Sequence, residues 1–150
     1  LQIVFQCPMA SLDPRQPIFD IIAEPLRANG WRRADIAPRV DELMELVGLE
    51  PSHANRYPRN FSGGQRQRVW VAMALAQRTD ILLLDEPTNN LDPASREEIL
   101  GALGTFAGAV VLVTHDEGAV EALNPDRVLL LPDGDEDLWG PEYLELVALA

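Results

Sequence analysis

Ile81-Leu82-Leu83-Leu84-Asp85-Glu86-Pro87 is the stretch whose reading decides the fold. A continuous apolar run bounded by polar residues is the mark of a strand buried on both faces, as in parallel sheets covered by helices. The run ends in two adjacent carboxylates, and ligands gather at the carboxyl ends of strands in open α/β sheets. Asp85 is suited to hold Mg²⁺, directly or through water, as carboxylates do in phosphate sites. Glu86 could take a proton from an attacking water placed within hydrogen-bond reach.

Upstream, Phe61-Ser62-Gly63-Gly64-Gln65-Arg66 opens a helix expected from Gly63 to about Gln77, with Val69, Ala72, Met73 and Ala76 facing inward. Ser62 stands at the N-cap, where its oxygen accepts an orphan amide. Two residues without side chains leave backbone amides exposed at a helix N-terminus, whose dipole favours an anion. Ser62 and Gln65 can add a hydroxyl and an amide donor. Downstream, Asp92-Pro93 starts a helix that runs to about Phe106, with Asp92 as the cap and Pro93 at the first position. Ala109–Val113 reads as a second buried strand and puts His115 at the same sheet edge, where its imidazole could donate to a terminal phosphate oxygen. Val128–Leu131 reads as a third, followed by a turn at Pro132-Asp133-Gly134, a hairpin return at Leu138-Trp139 and a last amphipathic helix from Pro141.

Towards the other end, Ile3-Val4-Phe5 is a short strand running into Gln6-Cys7-Pro8. Helical spacing from Ile18 to Gly48, interrupted near Gly30, gives one stripe of Ile18, Ile21, Ile22 and Leu26. A second comprises Ile36, Val40, Leu43, Leu46 and Val47. Strands alternating with helices imply an α/β fold with a mostly parallel sheet. Residues 10–60 read as a helical subdomain inserted into a catalytic core made of 1–9 and 61–150. His53 reads as a surface residue, and Trp31, Trp70 and Trp139 as packing residues.

The 150 residues carry a net charge of −12, which disfavours direct DNA binding because that needs clustered cations. From Asp116 onward ten carboxylates face only Arg127. One cysteine excludes an internal disulfide. No apolar run approaches the roughly 20 residues that cross a bilayer. All twelve basic residues are arginines, and no glycine-rich loop ending in Lys-Ser or Lys-Thr is present. A chain that opens inside a strand without an initiating Met reads as a fragment.

Together these residues resemble the nucleotide-binding domain of ATP-binding-cassette (ABC) proteins, a P-loop NTPase fold. Gln6 is similar to the Q-loop, Ser62–Gln65 to the signature motif and Ile81–Glu86 to Walker B. Leu91-Asp92 is similar to the D-loop and His115 to the H-loop. The resemblance implies ATP and Mg²⁺ as cofactors and a second cassette as partner, each ATP lying between the Walker motifs of one domain and the signature motif of the other. It implies that Glu86, His115 and Gln6 are catalytic and that Asp85 and Gln6 serve the metal. Ser62, Gly63, Gly64 and Gln65 would contact nucleotide, and Asp92 the dimer interface. The Walker A strand and helix have no counterpart here, so the isolated chain is expected to be inactive and to expose apolar strand faces at Leu82–Leu84 and Val110–Val113.

The front, Phe5–Pro8 with Ala10–Pro14 and Ile21–Leu26, is similar to oligopeptide, dipeptide and nickel importer ATPases. The leading expectation is therefore an importer ATPase subunit, docked on a membrane permease through the helical subdomain at the cytoplasmic face of the membrane. Asn89–Asp92 and the tail from Ala109 to Leu149 are more similar to the soluble ABC-F class, which acts at the ribosome. A non-catalytic module lending only its signature helix is the third reading.

Overall fold

The computed structural model describes residues 2–4 (backbone), 12–77, 79–89, 91–131 and 133–147. Three strands form a parallel sheet in the order β1 (Gln2–Val4), β2 (Ile81–Asp85), β3 (Ala109–Val113), with Ile3 beside Leu83 and Leu83 beside Val111. Parallel order puts the ends of β2 and β3 at one edge, and this places Glu86 next to Thr114 and His115. Between β1 and β2 the chain makes α1 (Ile18–Ala28), α2 (Arg33–Leu46) and α3 (Gly63–Ala76). α4 (Pro93–Gly104) links β2 to β3, and α5 (Glu117–Leu123) follows β3.

The two helical stripes are buried as their spacing requires, apart from Leu46, which is half-buried. α2 stops at Gly48, whose left-handed φ of 66° suits a residue without a side chain, and Leu49 N–H returns to the Met44 carbonyl at 2.8 Å. α3 is buried on nearly every side: Gln67, Val69, Trp70, Val71, Ala72, Ala74 and Ala76 are all inaccessible. It packs on α1, α2 and α4, and one apolar cluster joins these helices to Leu82 and Leu84 of β2.

The sheet departs from the expectation of strands buried on both faces. Leu82 and Leu84 are fully buried, but Ile81, Val111 and Val113 are exposed, the last two at 46%. The helices cover one face, so the open apolar face comprises the alternate residues of β2 and β3 rather than Leu82 or Leu84. The expected third strand also differs. β4 (Arg127–Leu130) leaves the parallel sheet and pairs antiparallel with β5 (Asp135–Leu138), forming a separate hairpin with Leu129 exposed. A short 3₁₀ turn at Pro141–Tyr143 and α6 (Leu144–Val147) close the described chain, Tyr143 Oη donating to Asp137 at 2.7 Å.

Helix starts follow the side chains available. Ser62 Oγ accepts from Gln65 N–H at 3.2 Å while Gln65 Oε1 accepts from Ser62 N–H at 2.9 Å, a complete capping box. Asp92 caps α4, accepting from the Ser95 amide at 2.9 Å and the Ser95 hydroxyl at 2.7 Å. Gly64 lets α3 approach α4 closely, since a Cβ there would stand 2.9 Å from Ser95 Oγ and 3.4 Å from Leu91.

Ser95 is buried and held by Asp92, so it cannot swing aside for a new methyl. Gly64→Ala is expected to lower stability by about 1–3 kcal/mol. Gly63→Ala, whose Cβ meets nothing within 4 Å, should be neutral or gain up to about 1 kcal/mol. Chemical denaturation of the two variants checks the contrast. The Ser95 amide, then its hydroxyl, holds the Asp92 carboxyl below the usual carboxylate range. A depressed folded-state value means stability present above the unfolded value and lost as pH falls through the folded one. Asp92→Asn, which keeps a capping oxygen, is expected to flatten that part of the stability curve below about pH 4, read from acid titrations of the melting temperature.

Candidate functional site

The site is built where β2 and β3 end. Glu86 leaves β2 with a left-handed φ of 48°, a conformation costing about 1–2 kcal/mol for an L residue, and such strain clusters at functional positions. The turn is held by Glu86 N–H donating to the Val113 carbonyl at 2.9 Å. It folds the carboxylate back over the end of β3. His115 N–H donates to Oε1 at 3.1 Å, Thr114 Oγ1 donates to Oε2 at 3.3 Å, and His115 Nδ1 lies 2.7 Å from Oε1. An ionised carboxylate only accepts, so this last contact commits a ring proton on Nδ1 to Glu86 and leaves Nε2 uncommitted. The Glu86 side chain is 11% exposed and the His115 side chain 57%, so the ring is the solvent-facing member of the pair.

Beside the pair opens a cleft of about 480 Å³, lined by Glu86, Thr88, Leu91, Arg96, His115 and Gly118 among others. A second hollow of about 360 Å³ lies at the opposite end of the strands, against Arg39, Asp80 and Phe106, and contains none of the candidate residues. Asp85, half-buried, ends β2 immediately before Glu86. No group of three or more His, Cys, Asp or Glu among the described residues could cage a metal ion. Mg²⁺ in phosphate sites takes one or two carboxylates and fills its shell with phosphate oxygens and water. Asp85 fits that partial role and no closed cage.

Ser62 and Gln65 form a second cluster with Gly63 and Gly64. Their mutual capping consumes the Gln65 amide N–H and the Ser62 N–H, but leaves the Ser62 hydroxyl proton, the Gln65 side-chain NH₂ and the Gly63 amide available as donors. No hydrogen bond or ion pair among the described residues joins this helix tip to Glu86 or His115. The link is indirect: buried Gln67 of α3 donates through Nε2 to the Pro87 carbonyl at 2.9 Å, fixing the turn that carries Glu86. Asp92 lies with the helix-tip cluster through Ser95, which touches Gly64. Gln6 lies outside the described residues.

Sequence reasoning passed over Gln67, Thr88 and Asp116, and gave Thr114, beside His115, no role of its own. Thr88 is buried and donates to Asp116 Oδ2 at 2.8 Å, and Asp116 N–H donates to Thr114 Oγ1 at 3.0 Å. The available signal was position: Thr114 and Asp116 flank His115, and Thr88 follows the Glu86-Pro87 turn. His53, expected at the surface, is partly buried with its ring edge-on to Phe61 at 6.4 Å.

A family model described as ABC transporter matches residues 1–89. The chain is 47% identical over 154 aligned positions to the oligopeptide transport ATP-binding protein OppD of Mycobacterium tuberculosis (strain ATCC 25618 / H37Rv), covering 95% of the chain and 25% of that protein. It is 46% identical over 129 positions to the glutathione import ATP-binding protein GsiA of Escherichia coli (strain K12), covering 83% of the chain and 21% of GsiA. The chain thus spans about a quarter of the length of these curated relatives. Among solved structures it superposes on the dimeric MJ0796, a bacterial ABC transporter cassette, with a TM-score of 0.76 and 32% identity over 91% of this chain and 61% of that one. A post-hydrolysis state of the same cassette bound to ADP and Pi matches equally. The parallel sheet edge, the capped helix tip and a family match over more than half of its residues agree: the chain belongs to the ABC transporter family and forms part of its nucleotide-binding domain.

Proposed function

We propose that this chain is the catalytic and coupling part of a peptide-type importer ATPase subunit, working with ATP and Mg²⁺. The observation that carries the reading is the Glu86–His115 pair at the open end of the sheet. Mg²⁺, when bound, would be served by Asp85 with Gln6 and would supply charge neutralisation of the phosphates. Glu86 orients a water and takes its proton as the water oxygen attacks the γ-phosphorus, while ADP departs with the bridging oxygen. His115, with its Nδ1 proton committed to Glu86, presents its exposed ring to the terminal phosphate. Ser62, Gly63, Gly64 and Gln65 bind the γ-phosphate of nucleotide held by a second cassette, and Asp92 supports that interface.

On this reading residues 10–60 are the helical subdomain that docks a membrane permease, and the assembly sits at the cytoplasmic face of the membrane. No helix among the described residues is long and apolar enough to cross a membrane. The alignment with OppD runs through 95% of the chain, including the tail, which favours the importer over the ribosome-acting class.

Two measurements test the proposal. The 150 residues contain no lysine to hold β- and γ-phosphates, so the chain by itself is expected to turn over no ATP. Steady hydrolysis that Glu86→Gln abolishes would overturn this. Mixed with a cassette that carries a lysine phosphate loop, the chain should associate in an ATP-dependent way. Gly63→Glu places a carboxylate in open space at the helix tip, so it should weaken that association at least about tenfold, the factor that 1.4 kcal/mol represents. Association without ATP dependence, or indifferent to Gly63→Glu, argues against the shared-nucleotide reading. In cells, co-purification with ribosomes rather than membranes would favour the ABC-F class instead.

A further inference from the structure

We propose that Arg96 is a positioning residue for the His115–Glu86 pair, acting through Asp116 across the gap left by Gly118; this rests on the site reading above. Arg96 is on the first turn of α4, and its guanidinium pairs with Asp116 Oδ1. Asp116 is otherwise held by the Thr88 hydroxyl at 2.8 Å and the Ala119 amide at 3.2 Å, and its own N–H reaches Thr114 Oγ1 at 3.0 Å. Thr114 in turn donates to Glu86 Oε2. His115 is thus strung between two residues that are each anchored, Thr114 on Glu86 and Asp116 on α4, α5 and the Thr88 turn.

The Asp116 side chain is 17% exposed and the Arg96 side chain 37%. A carboxylate that far out of water needs a charged or multiply hydrogen-bonded partner, and removing one member of such a pair costs more than breaking a surface pair. Gly118 supplies the passage: a Cβ there would stand 2.5 Å from Arg96 Nη2 and 3.6 Å from Asp116 Oδ1. An alanine methyl there would displace the Arg96 guanidinium, the far end of a flexible side chain, and so would disturb its contact with Asp116 at little cost to the helix. α4 therefore reaches the sheet edge with one residue, Arg96, while its neighbour Ser95 touches the α3 tip.

The chain has two histidines, so ¹⁵N-histidine labelling gives two ring-nitrogen patterns, His115 and the internal reference His53. Spectra of the full chain are recorded near pH 8.5, above the ordinary imidazole titration range. The wild-type chain should show His115 with its proton on Nδ1. Arg96→Leu and Gly118→Ala should each lose that pattern to a mixture of tautomers, with His53 unchanged, and Arg96→Lys, which keeps the charge, should restore it. Gly118→Ala keeps every charge and improves helix propensity, so it decides the matter if Arg96→Leu does not fold. An unchanged His115 pattern in both Arg96→Leu and Gly118→Ala overturns the proposal. So does loss of the His53 pattern in Gly118→Ala, which would make the contact a folding element. Glu86→Ala, which removes the acceptor for the ring proton, separates the two layers of argument. If it leaves His115 unchanged, the carboxylate–imidazole pair itself fails; if only the Arg96 and Gly118 variants are silent, the pair stands and the positioning role fails.

Discussion

The burial of α3 on nearly all sides is the constraint from which the other placements follow. From Val69 to Ala76 the helix is apolar all round and must be enclosed, and here α1, α2 and α4 enclose it. Its exposed first turn is then the one part free to present amides, and its position fixes two other pieces of the chain. Gln67 reaches across to the Pro87 carbonyl and so sets where the chain turns after β2. Gly64 sets how closely α4 approaches. A buried glutamine with an unmet amide would cost about 1–3 kcal/mol, so the Gln67 bond is a strict requirement on the Glu86 turn and not an incidental contact.

Around that turn the chemistry is organised by direction of donation. Three donors from two consecutive residues, the Thr114 hydroxyl and the His115 amide and ring, converge on one carboxylate. The backbone of Glu86 adopts a costly left-handed conformation to receive them. Each oxygen keeps further acceptor capacity, since a carboxylate has about four lone-pair sites. The arrangement leaves Glu86 sheltered and the ring outward, which suits a group that must meet a small molecule arriving from solvent.

What the sequence disclosed was governed by distance along the chain. The Ser62 and Asp92 caps were legible because each acts within three residues. The stripes of α1 and α2 were legible because their period matches the helix. Strand β2 was read correctly as a strand, and the expected exposure of an apolar strand face is found at Val111 and Val113 but not at Leu82 or Leu84: an apolar run states what can be buried, not which face is covered. Ile81 and Val111 remain open for that reason. The Glu86–His115 contact spans 29 residues and needs the Glu86 turn and the Asp116 anchors, none of which has a local signature. α5 was missed because it is seven residues long and carries Gly118 in its first turn. The hairpin was anticipated, but its separation from the parallel sheet was not, since pairing partners are chosen by tertiary geometry.

The bare apolar face of the sheet has a colloidal consequence for this acidic chain. Copies attract through Ile81, Val111 and Val113 and repel through a surplus of twelve negative charges. That repulsion reaches about 10 Å at 0.1 M ionic strength and about 3 Å at 1 M. Dispersal in dilute buffer is accordingly an electrostatic property, and concentrated salt, by shortening its reach, hands the balance to the sheet.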